Sequence, residues 1–256
     1  MPDPKPRGRF VWFDLMTTDA AKAVEFYTNL AGWGTTEWEG PSKYTMWTNS
    51  TVPIGGLMTL PPGAAGPPHW LAYISTPDIE GTVKQATDLG AKTMVPPTDI
   101  PTVGRYAVLS DPQGAAFAMY TASSQTPGHD GEPQVGEFSW HELATHDQPA
   151  AFRFYERLFG WEKTSAMDMG PAGVYQMYGR GGGVPLGGMF NKPPEMPGPP
   201  AWLHYIRVDD VNRAVDVTKS RGGTIINGPM EVPGGDWIAQ GIDPQGGMFA
   251  VHAKKK

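Results

Sequence analysis

Two short stretches of this sequence pair a tryptophan with a carboxylate: Trp12-Phe13-Asp14 and Trp140-His141-Glu142. Along an extended strand alternate side chains share a face, so each indole and its carboxylate point the same way. A carboxylate beside an aromatic wall can act as a general base, or anchor a cationic or hydroxylated ligand. It can equally be a structural group, satisfied by backbone donors or an arginine. Asp14 and Glu142 are the candidate catalytic residues. No Walker motif, dinucleotide fingerprint or Ser-His-Asp constellation is visible. Gly179-Arg180-Gly181-Gly182-Gly183 resembles a phosphate loop only superficially, because Pro185 and Gly187-Gly188 follow where a helix would be needed. It reads as a hairpin turn.

The elements that must hold these residues occur twice. Phe10, Trp12, Leu15, Thr17 and Asp19 recur 128 positions later as Phe138, Trp140, Leu143, Thr145 and Asp147. Phe26-Tyr27, Leu30 and Gly32-Trp33 recur as Phe154-Tyr155, Leu158 and Gly160-Trp161. Gly55-Gly56, Trp70-Leu71 and Asp111-Pro112-Gln113-Gly114 recur as Gly187-Gly188, Trp202-Leu203 and Asp243-Pro244-Gln245-Gly246, now 132 positions apart. Such ordered matches indicate a tandem duplication. The expected domains are 8–122 and 135–253, joined by a polar linker, 123–134.

Each copy is itself interrupted by a proline-rich segment, Pro61–Pro68 or Pro193–Pro200. On either side the pattern is strand, helix, then short strands. Asp19 and Asp78 are plausible N-caps. Ala23, Phe26, Tyr27 and Leu30 give one helical stripe; Ile79, Val83, Ala86 and Leu89 give another. Gly32 and Gly90 are natural stops. The expectation is an α+β chain of four βαβββ modules, two per domain.

Composition bounds the function. Of 256 residues, 39% are apolar, enough for packed cores. A net charge of -6 argues against general nucleic-acid binding, and Lys254, Lys255 and Lys256 read as a solvated tail. The lack of cysteine excludes disulfides, thiolate metal sites and a cysteine nucleophile. With no apolar leader segment and no run of membrane-spanning length, the expected location is cytoplasmic.

Strand, capping Asp, a helix ending Phe-Tyr-x-x-Leu-x-Gly-Trp, and a late Asp-Pro-Gln-Gly turn together resemble the vicinal oxygen chelate superfamily. That superfamily includes glyoxalase I, extradiol dioxygenases and bleomycin-resistance proteins. The resemblance spans essentially the whole chain and implies two tandem bowls of mixed sheet, helices outside and ligands within. It also implies metal slots, and these fall at Trp12, Leu71, Ala118 and near Met58 in copy one. In copy two they fall at Trp140, Leu203, Ala250 and near Met189. None of these side chains suits a divalent cation, so no cofactor is expected.

Placing Trp12 and Trp140 in the slots turns Asp14 and Glu142 into the bowl. The same face then carries Tyr73, Ser75 and Tyr120 in copy one, and Tyr205, Arg207 and His252 in copy two. Trp12, Trp140, Tyr73, Tyr205, Arg207, Tyr120 and His252 are the candidate ligand contacts, an aromatic lining that suits a flat organic ligand. The alternative is that the 9 Trp and 13 Met side chains plug the bowl. His141 and His204 fall on the opposite face, as core residues. A one-residue slip would reverse them, which makes His204 a further candidate contact. Arg105-Tyr106 stands where copy two has Asp236-Trp237, and reads as a surface arginine or a rim anion contact.

Three readings follow. One is a metal-independent, glyoxalase-like protein that binds a small apolar or aromatic metabolite, with proton transfer by Glu142 or Asp14. Another is a metal-dependent lyase or dioxygenase with relocated ligands in copy two. The last is a binding or resistance protein without turnover. A small-molecule partner is expected, with no nucleic acid or membrane, in a monomer or homodimer.

Overall fold

The computed structural model describes residues 6–41, 43–61, 63, 66–182 and 184–255. Pro62, Ala64 and Ala65 of the first proline-rich segment, Gly183 of the glycine run, Lys256 of the basic tail and the first five residues lie outside the described residues.

The four βαβββ modules are present. The first holds β1 (Phe10–Thr17), α1 (Ala20–Ala31), β2 (Gly34–Glu37), β3 (Thr45–Asn49) and β4 (Val52–Thr59). The second holds β5 (His69–Ser75), α2 (Ile79–Asp88), β6 (Lys92–Ile100), β7 (Gly104–Ser110) and β8 (Ala116–Ala122). The third holds β9 (Phe138–Thr145), α3 (Gln148–Phe159), β10 (Glu162–Asp168), β11 (Val174–Gly179) and β12 (Gly187–Asn191). The fourth holds β13 (Ala201–Arg207), α4 (Val211–Ser220), β14 (Thr224–Glu231), β15 (Trp237–Ile242) and β16 (Met248–Ala253). Each copy forms one eight-stranded mixed sheet, ordered β2-β3-β4-β1-β5-β8-β7-β6 and β10-β11-β12-β9-β13-β16-β15-β14. The fold is α+β, and no helix among the described residues is long and apolar enough to cross a membrane.

The helices form where the capping pattern places them. Asp19, Asp78, Asp147 and Asp210 each accept a backbone N–H from the first turn, which satisfies a donor the helix leaves open. Gly32 (φ 74°) and Gly160 (φ 67°) close α1 and α3 in the left-handed conformation. In α2 the buried stripe is Ile79, Thr82 and Ala86. Thr82, rather than Val83, turns inward because its hydroxyl is satisfied by Asp78 O at 2.6 Å and Thr76 Oγ1 at 2.7 Å.

Contacts divide the chain into two compact units that cut across the copies. One comprises Met1–Trp12, Ala72–Gly131 and Trp140–Trp202; the other comprises Phe13–Leu71, Glu132–Ser139 and Leu203–Lys256. The repeated motifs explain this. In the first unit, Tyr155 of α3 donates to Asp111 Oδ2 (3.0 Å) of the other copy and accepts from Trp202 Nε1 (3.1 Å). In the second, Tyr27 of α1 donates to Asp243 Oδ2 (3.0 Å) and accepts from Trp70 Nε1 (3.0 Å).

The remaining carboxylate oxygen of each Asp-Pro-Gln-Gly turn takes two backbone N–H groups of its own turn. Burial, with the adjacent aspartate, pushes both tyrosine pKa values far up, so both phenols stay donors. The Gly-Trp motifs act likewise: Trp161 Nε1 donates to Gly8 O and Trp33 Nε1 to Gly136 O, each just before the other copy's first strand. Gly8 (φ 80°) and Gly136 (φ 84°) are left-handed there. The most ordered part of the repeat therefore holds one copy to the other within each unit.

Candidate functional site

In the second unit, Asp14 sits on β1 opposite Gly56 of the parallel strand β4. Tyr44, just before β3, lays its ring over that glycine and donates to Asp14 Oδ1 at 2.5 Å. A Cβ at Gly56 would fall 1.7 Å from Tyr44 Oη, so only glycine leaves room for the phenol. Asp14 is 2% exposed. A carboxylate this buried needs a protein donor where water cannot reach, and Tyr44 supplies one.

The first unit repeats the arrangement with a difference. Glu142 of β9 lies opposite Gly188 of β12. Tyr175 of β11 covers that glycine, where a Cβ would meet its ring at 2.0 Å, and donates to Glu142 Oε2 at 2.9 Å. Trp140 Nε1 donates in turn to Tyr175 Oη at 2.8 Å. The three groups form a directed line, indole N–H to phenol O–H to carboxylate. Each bond polarises the next, which makes the phenol a stronger donor to Glu142. Glu142 and Trp140 are only partly buried. Phe190 of β12 stacks on Tyr175 with centroids 5.9 Å apart. The arrangement offers a base beside an aromatic wall.

Tyr44 and Tyr175 went unrecognised in the sequence, although Tyr44-x-Met46-Trp47 recurs as Tyr175-x-Met177-Tyr178.

The other sequence candidates separate. In the first unit, Tyr73 of β5 lies 6.2 Å from Tyr106, ring to ring. Tyr120 of β8 donates to Val103 O at 2.9 Å, and burial raises its phenol. Trp12 is partly buried. Ser75 accepts from Arg9 N at 3.0 Å. In the second unit, Tyr205 of β13 accepts from Gln240 Nε2 at 2.6 Å. Arg207 binds the linker through Pro133 O and Glu132.

His252 of β16 lies between Ser139 and Asp236, with ring nitrogens 2.9 and 3.0 Å from their oxygens. His204 is 2% exposed, edge-on to Phe13 and Phe138. Burial holds its imidazole down to about 3, so it stays neutral. His141, of the first unit, is buried against Phe10 at 3.8 Å.

Arg105 pairs with Glu80 and Asp99, as a surface arginine does. Strand register sets it opposite Thr121 and sets Trp237 opposite Ala253. Trp237, not Asp236, is thus its counterpart, one residue from the match expected in the sequence.

The metal slots do not fit an ion. Leu71, Ala118, Ala250 and Met189 are buried apolar side chains, and Met58 offers only a thioether. Among the described residues no group of three or more His, Asp or Glu side chains is placed to hold a metal.

Comparison with known proteins bears on this geometry. A family model for the Glyoxalase/Bleomycin resistance protein/Dioxygenase superfamily matches residues 9–119 and 137–251. CFP32 of Mycobacterium tuberculosis, described as a candidate glyoxylase, is 33% identical over 246 residues, 94% of this chain and 92% of that one. The anthracycline biosynthesis protein DnrV of Streptomyces peucetius is 29% identical, over 95% of this chain and 92% of that one. Among solved structures, the 2,3-dioxygenase LapB from Pseudomonas sp. KL28 superposes with a TM-score of 0.69 at 13% identity, covering 98% of this chain and 94% of its own. The Mn(II)-bound glyoxalase from Novosphingobium aromaticivorans gives 0.62 at 14% identity, covering 98% and 83%. At such identities these two establish the fold alone.

Proposed function

This chain belongs to the Glyoxalase/Bleomycin resistance protein/Dioxygenase superfamily, and we propose that it binds a small, flat, apolar or aromatic metabolite and moves a proton on it without a metal. The base is Glu142. The observation that carries this reading is the line Trp140 to Tyr175 to Glu142. Tyr175 orients one carboxylate oxygen, and the partly exposed Trp140 ring supplies a flat wall. A proton acidified by a neighbouring carbonyl passes to Glu142 and returns to another atom of the same ligand, directly or after exchange with water. The Streptomyces relative named for anthracycline biosynthesis supports an aromatic ligand, and CFP32 supports glyoxylase-type proton chemistry. The donor-poor slots support a reaction without an ion.

The test is a thermal-shift screen of aromatic hydroxy-ketones and quinones, followed by mass spectrometry and NMR of each ligand that raises Tm. Bound ligand stabilises the native state by mass action, so a hit requires no assumption about the chemistry. The reading expects at least one hit whose chemical change depends on Glu142. A hit converted equally well by Glu142→Gln overturns the assignment of the base.

A further inference from the structure

Copy two carries three polar residues that copy one lacks. Ser139, Asp236 and His252 stand where copy one has Val11, Gly104 and Tyr120. All three lie in the second unit and form an unbroken line. Ser139 Oγ is 2.9 Å from His252 Nδ1, and His252 Nε2 is 3.0 Å from Asp236 Oδ2. From this geometry we propose that Ser139 is an activated nucleophile toward small carboxylic esters, with His252 as its base and Asp236 as the group that orients the base.

Each member of the line is set for its role. Asp236 Oδ1 is fixed by Lys255 N at 3.1 Å, which leaves Oδ2 for the imidazole. Burial works against its charge, but the hydrogen bonds from His252 and Lys255 outweigh it and hold Asp236 below the usual carboxylate range. An ionised Asp236 keeps the imidazole proton on Nε2, so the Nδ1 lone pair faces the serine hydroxyl. That is the opposite ring assignment from the usual serine triad, but either nitrogen can serve as base. Lys254 and Arg207 both pair with Glu132, and Lys254 also favours the charge on Asp236 through space.

Ser139 Oγ also lies 3.3 Å from Tyr205 O. Its hydroxyl can turn to that carbonyl when Nδ1 is protonated, so both protonation states of His252 are satisfied in place. Ser139 is partly buried, and the imidazole is 14% and the carboxylate 27% exposed. Ile238, paired with His252 across the two strands, shares its face. A small ester of a short acid is the favoured class.

The step balances. Ser139 Oγ adds to the ester carbonyl carbon as its proton passes to His252 Nδ1. The carbon–oxygen bond to the alcohol breaks, and the departing alcohol takes that proton. Water then adds to the acyl-serine by the same route, releasing the acid and restoring Ser139. Asp236 stays ionised throughout.

The experiment incubates the full chain at pH 8 with 4-nitrophenyl acetate and, separately, with an alkyl fluorophosphonate, and reads intact mass and modified peptides. A single adduct on Ser139 is expected, abolished by Ser139→Ala and slowed about tenfold or more by His252→Gln. No adduct on the wild-type chain, or one that survives Ser139→Ala, overturns the proposal. Should Ser139→Ala or His252→Gln not fold, Ser139→Cys provides the second reading. Its thiol should be alkylated by iodoacetamide with a pKa below the ordinary value of about 8.5, and an ordinary titration overturns the proposal. The readout is a covalent adduct, so it stands or falls separately from proton transfer by Glu142.

Discussion

The Asp14–Tyr44 pair and the Glu142–Tyr175 pair are the same construction at two levels of burial. Both set a first-strand carboxylate opposite a glycine, and both lay a tyrosine across that glycine to reach it. Asp14 has the shorter side chain and is almost fully enclosed, with its phenol at 2.5 Å. Glu142 is one methylene longer and partly exposed, and its phenol also receives the Trp140 N–H. A buried, tightly bonded carboxylate stabilises the fold. A partly exposed one, oriented from behind, remains available to a ligand. On the proposed reading, the duplication has kept the frame and divided the tasks.

Four changes would break or sharpen this contrast. The largest effect is expected from Glu142→Gln, which keeps shape and removes the base. Turnover of any converted ligand should fall about 100-fold or more while its thermal shift persists. Asp14→Asn should act the other way. Its melting curve should show a loss of about 1–3 kcal/mol, from a weakened buried hydrogen bond, with turnover per folded molecule little changed.

Acidification separates the copies at another position, where copy two has His204 and copy one has Ala72. His204 is held at about 3, below the ordinary 6.5, so the folded state binds fewer protons than the unfolded state. Its contribution is complete above pH 6.5 and is lost as pH falls toward 3. Denaturant melts at pH 7 and pH 5 should differ by roughly 2 kcal/mol from this group, and His204→Ala should flatten the difference. The smallest effect is expected from Trp140→Phe, which keeps an aromatic ring but removes the donor to Tyr175. Initial rates should fall by about threefold to tenfold, equivalent to about 1 kcal/mol.

Much of this frame can be read from the chain. Period-two alternation set Trp140 with Glu142, and capping aspartates with closing glycines marked α1 and α3. The duplication itself came from spacing. What spacing could not supply was partners. Tyr27 and Tyr155 recur in register, but no sequence pattern tells that each bonds the aspartate of the other copy. Tyr44 and Tyr175 reach their carboxylates from 30 and 33 positions away, through the pairing of three strands. Ser139 escaped notice for the opposite reason: its counterpart in copy one is the apolar Val11. Asp236 was matched to Arg105, and strand register moves that match by one residue, to Gly104. His252 was singled out, but its two partners lie on separate strands or turns that only folding brings together.

The most direct test of the division of tasks is solvent exchange. A ligand that raises Tm is incubated in D2O with wild-type chain, Asp14→Asn or Glu142→Gln, and its deuterium content is followed by NMR. The account predicts incorporation at one ligand position with wild type and Asp14→Asn, and none above the enzyme-free rate with Glu142→Gln. Incorporation at the wild-type rate with Glu142→Gln, or its loss in folded Asp14→Asn, would contradict it.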